Sequence, residues 1–264
     1  MRQREPAICL GATDYSDTSQ VVHFLTRGAG AVRLMAKGTK RPKSKSGGAI
    51  DLFSEGDLVY IAGRGEALGT LVEFTETVAH NALRRSADVL HAALCMIEAA
   101  ARLIAGGDPH PEAYDLLHNS LARLGEDGAP HEAVLAYFLW RLLRHAGLLG
   151  EMSRCVSCGA DSDRTLGTGP STALGAGGRE VYFSSAMGGP LCAACEGAVV
   201  EKRRLDGPTL AAMAALAAAE KGRRVALPPH QARGAIGLLA YHIAQQTGKP
   251  LRTIPGLRRS GPGV

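Results

Sequence analysis

Aromatic residues make up only 5% of the chain, with a single tryptophan, Trp140. A core built on large rings is therefore excluded, and close-packed helices and tight turns are favoured instead. There is no run of about 18 or more uncharged apolar residues, so no membrane-spanning helix is expected. The longest candidate, Leu210 to Ala219, is too short and mostly alanine. The N-terminal Met1-Arg-Gln-Arg-Glu-Pro6 carries positive charge but no apolar stretch behind it. A secretory signal is thus not expected, which points to a reducing, cytoplasmic setting with cysteines as thiols or thiolates. Catalytic signatures are missing too. There is no G-x-S-x-G, no G-x-x-x-x-G-K-[ST] and no H-E-x-x-H. Asp14 and Asp17 have no third acid nearby, fewer carboxylates than a two-metal nuclease needs.

Acid is also missing from one long stretch. No Asp or Glu falls between Thr18 and Ile50, whereas Arg27, Arg33, Lys37, Lys40, Arg41, Lys43 and Lys45 all lie there. The net charge of +5 hides this pattern. Residues 1–80 are nearly balanced, 81–200 are net acidic and 201–264 are strongly basic. A single-sign segment repels itself unless an anion screens it, so nucleic acid is the expected partner of the basic stretch. The bland alternative is a solvated loop or a localisation tag at Lys40-Arg-Pro-Lys-Ser-Lys45.

Hydrophobic periodicity divides the chain. Residues 1–80 read as about five short strands: Ala7–Ala12, Val21–Thr26, Ala31–Lys37, Leu58–Ala62 and Leu68–Val78. In the third, Val32, Leu34 and Ala36 alternate with Arg33, Met35 and Lys37, which puts both cations on the outer face. Five strands of this size suit a small barrel. The period then changes. Leu83 to Ile104, Tyr114 to Leu124 and Leu135 to Leu149 carry helical stripes, as do Pro208–Lys221 and Pro229–Thr247. The fold class expected is α+β. An OB-like barrel over 1–80 precedes a helical domain made of 81–150 and 201–250. Residues 151–200 form an inserted module, and 251–264 a basic, flexible tail.

The inserted segment holds Cys155-Val-Ser-Cys158 and Cys192-Ala-Ala-Cys195, with 33 residues between the pairs. Two C-x-x-C knuckles can supply a closed tetrahedral set of four sulfurs, which suits structural zinc and leaves no position for a substrate. An iron–sulfur cluster or redox use is the alternative. The segment Thr165 to Gly178 between the pairs is rich in Gly, Thr and Ser and reads as a loop. Cys9 and Cys95 sit on apolar faces and read as core residues.

Several motifs together resemble a known family. They are Tyr15-Ser-Asp-Thr-Ser-Gln-Val-Val22, Phe24-Leu-Thr-Arg27, Ala36-Lys-Gly38, Arg41-Pro-Lys-Ser44, Gly69-Thr-Leu-Val-Glu73 and Leu191-Cys192. They are similar to the bacterial recombination mediator RecO family, over nearly the whole chain. The resemblance implies an OB-fold that binds single- and double-stranded DNA, with Arg27, Lys37, Arg41, Lys43 and Ser44 matching the family's basic segment. It further implies a non-catalytic protein that anneals complementary strands. With RecR, and in some bacteria RecF, it would help load RecA onto DNA coated by single-strand-binding protein. The implied location is the bacterial cytoplasm, at the nucleoid. The acidic tail of single-strand-binding protein would need cations beside apolar side chains, and Arg141 and Arg144, flanking Leu142 and Leu143, are the expected seat. Two rival readings remain: a helical scaffold with an incidental basic loop, and a zinc-containing nucleic-acid enzyme.

Overall fold

A computed structural model describes residues 2–41, 48–63, 67–160, 181–219 and 224–254. Its contacts divide the chain into two compact units, Met1–Ala129 and Pro130–Val264.

The first unit is built on a closed barrel of five strands: β1 (Arg2–Ser16), β2 (Ser19–Thr26), β3 (Gly30–Ala36), β4 (Glu55–Ile61) and β5 (Gly69–Val78), in the order β1-β2-β3-β5-β4. All five expected strands are present, and β1 is longer than its apolar run. That length lets it serve two neighbours: Arg2 to Ile8 pairs with β4, and Ala7 to Ser16 pairs with β2. Closure depends on a short parallel seam, Leu34 opposite Gly69 and Met35 opposite Thr70. Gly69 is required there. A Cβ would sit 2.7 Å from both Ile61 O and Leu34 Cδ2, so the seam admits no side chain. Alternate residues fill the interior, among them Ala7, Cys9, Val22, Phe24, Leu34, Ala36, Leu58, Tyr60 and Phe74. Phe24 and Phe74 pack with ring centroids 5.1 Å apart. The period-two reading of β3 holds: Leu34 and Ala36 are buried, while Arg33 is exposed.

The helical stripe expected from Leu83 to Ile104 is interrupted. A 3-10 turn spans Asn81–Arg84, and α1 begins only at Ala87, running to Leu103. Ser86 holds extended geometry, φ −137° and ψ 140°, which ends the first turn before α1 starts. Leu83 is buried all the same. Helix α2 (Pro111–Leu124) buries Tyr114, Leu117, Leu121 and Leu124, the expected stripe. Both helices belong to the barrel's unit. The α1–α2 connection bonds to the β2–β3 hairpin through Ala31 N to Ala105 O and Gly107 N to Ala29 O. The helices of 81–150 are therefore shared between the units, a different partition from the sequence grouping of 81–150 with 201–250.

In the second unit α3 (His131–His145), α4 (Gly207–Ala218) and α5 (Pro229–Thr247) pack together, and α5 touches both others. Helix α5 buries Ala235, Leu238 and His242 as well as its expected face of Ala232, Ile236, Leu239 and Ile243. Gly234 permits the approach to α4, since a Cβ there would lie 2.3 Å from Thr209 Oγ1. A three-stranded sheet, β6 (Val181–Ser184), β7 (Gly189–Leu191) and β8 (Arg203–Leu205), has the order β7-β6-β8. The tail expected to be loose from residue 251 begins buried: Leu251 and Ile254 are both covered, as apolar side chains would be. The Thr165–Gly178 loop, Lys221 and the tail past residue 254 lie outside the described residues.

Candidate functional site

The basic residues of the barrel fall into three groups. Arg33 and Lys37 are exposed on β3 and just beyond its end, and Arg41 is exposed in the following turn. None of these three is in an ion pair among the described residues. Arg27 and Lys40 are already tied. Arg27 makes a two-pronged bridge to Asp115, with Nε 3.0 Å and Nη2 3.1 Å from the carboxylate oxygens. Lys40 pairs with Asp14. Lys43 and Lys45 lie outside the described residues. Beside Arg33, His23 is its strand partner. Burial, then the Arg33 charge, lower the imidazole to about 4, so the positive charge at that pair is the arginine's alone.

Gln20 organises the base of this basic stretch. Its side chain is buried, its Oε1 accepts from Ile50 N at 3.0 Å and from Thr39 Oγ1 at 3.3 Å, and its Nε2 donates to Ile50 O at 3.4 Å. Thr39 and Ile50 are thereby held at one point. The sequence carries a signal for this. Gln20 shares the inward face of β2 with Val22 and Phe24, and a polar residue at a core-facing position needs partners.

A groove of about 700 Å³ opens between the β1–β2 turn, the end of β3 and the start of β5. Tyr15, Met35, Lys37, Arg41 and Leu68 line it. Of the three aromatics near the basic segment, Phe24 and Tyr60 are core, whereas Tyr15 is 69% exposed.

A second buried polar centre was not expected. Glu55, at the start of β4, accepts from His118 Nδ1 at 2.7 Å, Tyr114 Oη at 2.9 Å and His80 Nε2 at 3.1 Å. Burial alone would raise this carboxyl. The hydrogen bonds from His80, His118 and Tyr114 outweigh it and bring the group down to about 2. The arrangement fixes α2 and His80, two residues past β5, onto the barrel. Joining partners 25, 59 and 63 positions away in the chain, it acts as a structural latch.

The four cysteines converge. Cys155, Cys158, Cys192 and Cys195 place their sulfurs within 4.8 Å of one another, and Cys158 Sγ to Cys192 Sγ is 3.7 Å. A tetrahedral zinc with Zn–S of about 2.3 Å requires S···S separations of about 3.8 Å, so the set fits. Gly159, with φ +73°, follows the first knuckle and takes the left-handed turn expected there. For Cys155, burial opposes ionisation, but backbone N–H groups of Cys192, Cys158 and Ser157 prevail and lower the thiol to about 6. Cys195 goes the other way. A hydrogen bond with Ser157 lowers it, yet the neighbouring Cys158, Cys192 and Cys155 hold it up at about 12. Four sulfurs this close cannot all ionise without a cation among them. Cys9 is buried in the barrel core, and burial pushes its thiol up to about 12, as a packed residue requires.

The module is tied to its own unit by Glu201. Its carboxylate accepts from Ser185 N at 2.8 Å, Ala186 N at 3.0 Å and Tyr241 Oη at 2.7 Å. The turn between β6 and β7 is capped in this way, with no local sequence pattern to mark it. In the same unit Arg141 and Arg144 line a groove of about 260 Å³ with Trp140, Met152, Leu216 and Glu151. Arg144 lies 6.0 Å over the Trp140 ring and donates to Gly150 O at 3.3 Å. Neither arginine pairs with an acid among the described residues, and no described helix is long and apolar enough to cross a membrane.

Comparison with known proteins matches this architecture. Residues 1–78 match the family described as recombination protein O N terminal, and residues 84–254 the one described as recombination protein O C terminal. Several proteins named DNA repair protein RecO are similar over almost their full length. The Myxococcus xanthus protein is 29% identical over 98% of both chains. That of Anaeromyxobacter sp. strain Fw109-5 is 30% identical over 99% of this chain and 97% of its own. That of Cutibacterium acnes is 28% identical over 97% and 98%. With one model matching the OB-like barrel and the other the helical region that carries the four cysteines, the chain belongs to the RecO family of DNA repair proteins.

Proposed function

We propose that this protein is a non-catalytic DNA-binding recombination mediator, which neutralises the backbones of complementary strands so that they anneal. The observation that carries this reading is the barrel's cationic surface. Arg33, Lys37 and Arg41 are exposed and unpaired with acid, on a stretch that contains no Asp or Glu. Small barrels with a cationic face suit nucleic acid. Phosphate contacts would release counterions, so affinity should be electrostatic, weakly sequence-dependent and steep in salt. Strand pairing then needs charge screening and accessible bases, not a general base.

Within this reading the protein works in the bacterial cytoplasm at the nucleoid. Its partners are single- and double-stranded DNA, RecR, the single-strand-binding protein, and RecF and RecA. The groove at Arg141 and Arg144 supports a seat for an acidic tail: two cations that pair with no acid among the described residues stand beside Trp140, Met152 and Leu216. Glu151 on the same groove would oppose such a ligand and narrows where the tail's carboxylates can lie. Cys155, Cys158, Cys192 and Cys195 hold one structural zinc. When bound, it supplies the cation that lets all four thiolates coexist, and the closed sulfur set leaves it no substrate position.

The test is DNA binding as a function of salt. Lys37→Ala/Arg41→Ala should shrink the slope of log affinity against log salt by about 1.4 on single strands, at ~0.7 per phosphate contact. Asp14→Asn, which frees Lys40, should steepen it by up to ~0.7. Slopes unchanged in both variants would reject the reading.

A further inference from the structure

We propose that the groove beside Tyr15 is a base-stacking site for an unpaired nucleotide, which makes the barrel prefer single strands over duplex. The inference rests on the DNA-binding reading and adds the chemistry of its contact.

Tyr15 is the aromatic that the fold has turned outward. It lies near the end of β1, where the pairing with β2 slips: Asp14 faces Gln20 and Ser16 faces Ser19, with the register shift between them. Such an irregularity leaves one residue unpaired and re-aims its side chain. Tyr15 is 69% exposed, and its hydroxyl has no hydrogen-bond partner among the described residues. Its ring is therefore open to contact from solvent and held to no protein partner by its hydroxyl.

Its surroundings have the composition of a nucleotide site. Met35 and the half-exposed Leu68 give the groove apolar surface, and Lys37 and Arg41 give it positive charge. Thr18, Ser19 and Thr70 add hydroxyls. Among the described residues no acid lines it; Asp14 is engaged with Lys40, and Asp17 belongs to the turn but not to the lining. The groove lies at the seam between β3 and β5, which is only two residue pairs long. Two cations beside an exposed ring and an apolar floor complement a phosphate–base–phosphate unit. The base faces of a duplex are already stacked on one another and cannot reach the ring. Tyr15 would therefore act on single strands alone, while Lys37 and Arg41 would serve both forms.

The experiment compares three ligands by fluorescence anisotropy: oligothymidine, an abasic oligomer of the same length and charge, and duplex DNA. Wild type should bind oligothymidine more tightly than the abasic oligomer. Tyr15→Ala should weaken oligothymidine binding by about fivefold or more, the effect of losing one stacked base. It should leave the abasic oligomer and the duplex unchanged, and Tyr15→Phe should keep wild-type affinity throughout. Equal losses on all three ligands, or none on any, would overturn the stacking site. Lys37→Ala/Arg41→Ala separates the two levels. If it weakens every ligand while Tyr15→Ala weakens none, only the stacking proposal fails. If wild type binds none of the three, the DNA reading fails and takes this proposal with it.

Discussion

Replacing Glu55 by Gln tests whether the buried latch governs the stability of the barrel unit. The side chain is 9% exposed and accepts three side-chain hydrogen bonds, from His80, Tyr114 and His118. Its carboxyl is lowered from 4.5 to about 2. At 1.36 kcal/mol per unit that difference amounts to about 3 kcal/mol favouring the folded state. The sign follows from the direction. A carboxyl depressed by folding contributes fully above its unfolded value, near 4.5, and the contribution drains away as the pH falls towards 2. Gln cannot ionise, and its amide nitrogen faces donors, so it forfeits the contribution at every pH. Glu55→Gln should therefore be less stable than wild type by about 3 kcal/mol at neutral pH. The gap should close progressively below pH 4.5. Trp140 lies in the other unit, so its fluorescence is the wrong reporter. Hydrogen exchange of the β4 and α2 amides in a urea series reads the correct unit. A gap under about 0.5 kcal/mol at neutral pH, the scatter of ordinary surface changes, would refute the latch. So would a gap that stays constant down to pH 2.

Two further predictions concern the second unit. Elemental analysis should find about one zinc per chain, and Cys158→Ser should release it and expose the amides of residues 151–160 and 181–200 to exchange while the barrel stays protected. Full occupancy in Cys155→Ala/Cys192→Ala would refute the assignment. Wild type should bind a labelled acidic tail peptide of the single-strand-binding protein with micromolar affinity, about −8 kcal/mol or weaker. Arg141→Ala/Arg144→Ala should abolish that binding without altering annealing of bare DNA, and retained binding would rule out this seat.

The repeating signals were legible in the sequence. Alternation in β3 placed Leu34 and Ala36 inside and Arg33 outside, as found. The spacing of two C-x-x-C pairs predicted four converging sulfurs, and the sulfurs converge. The 3.6-residue stripes located α2, α3 and α5. What escaped were isolated polar residues whose partners are far away in the chain. Glu55 meets His118 across 63 residues, and Glu201 meets Tyr241 across 40. No local pattern marks such a residue, because its role exists only once the backbone is folded. Gln20 is the intermediate case. Its inward position on β2 was readable from the alternation, but its partners Thr39 and Ile50 were not.

The same limit applies to the charges, where it changes an expected magnitude. Counting cations along residues 27–45 gives seven candidate phosphate contacts. The fold removes two of them: Arg27 by Asp115, 88 residues away, and Lys40 by Asp14. Both acids lie outside the acid-free stretch, so its single sign in sequence does not survive as a single sign in space. Among the described residues three cations remain free, Arg33, Lys37 and Arg41. They correspond to a salt slope of about 2 on single strands rather than the ~5 that seven contacts would give. Arg27 is held at an exposed bridge and Lys40 at a half-exposed one, both of the weak surface kind. DNA phosphates can compete for them, with Asp115 and Asp14 opposing. A measured slope well above 2 would therefore point to displacement of these bridges, or to Lys43 and Lys45, and Asp14→Asn distinguishes the two: it steepens the slope only if Lys40 had been held back.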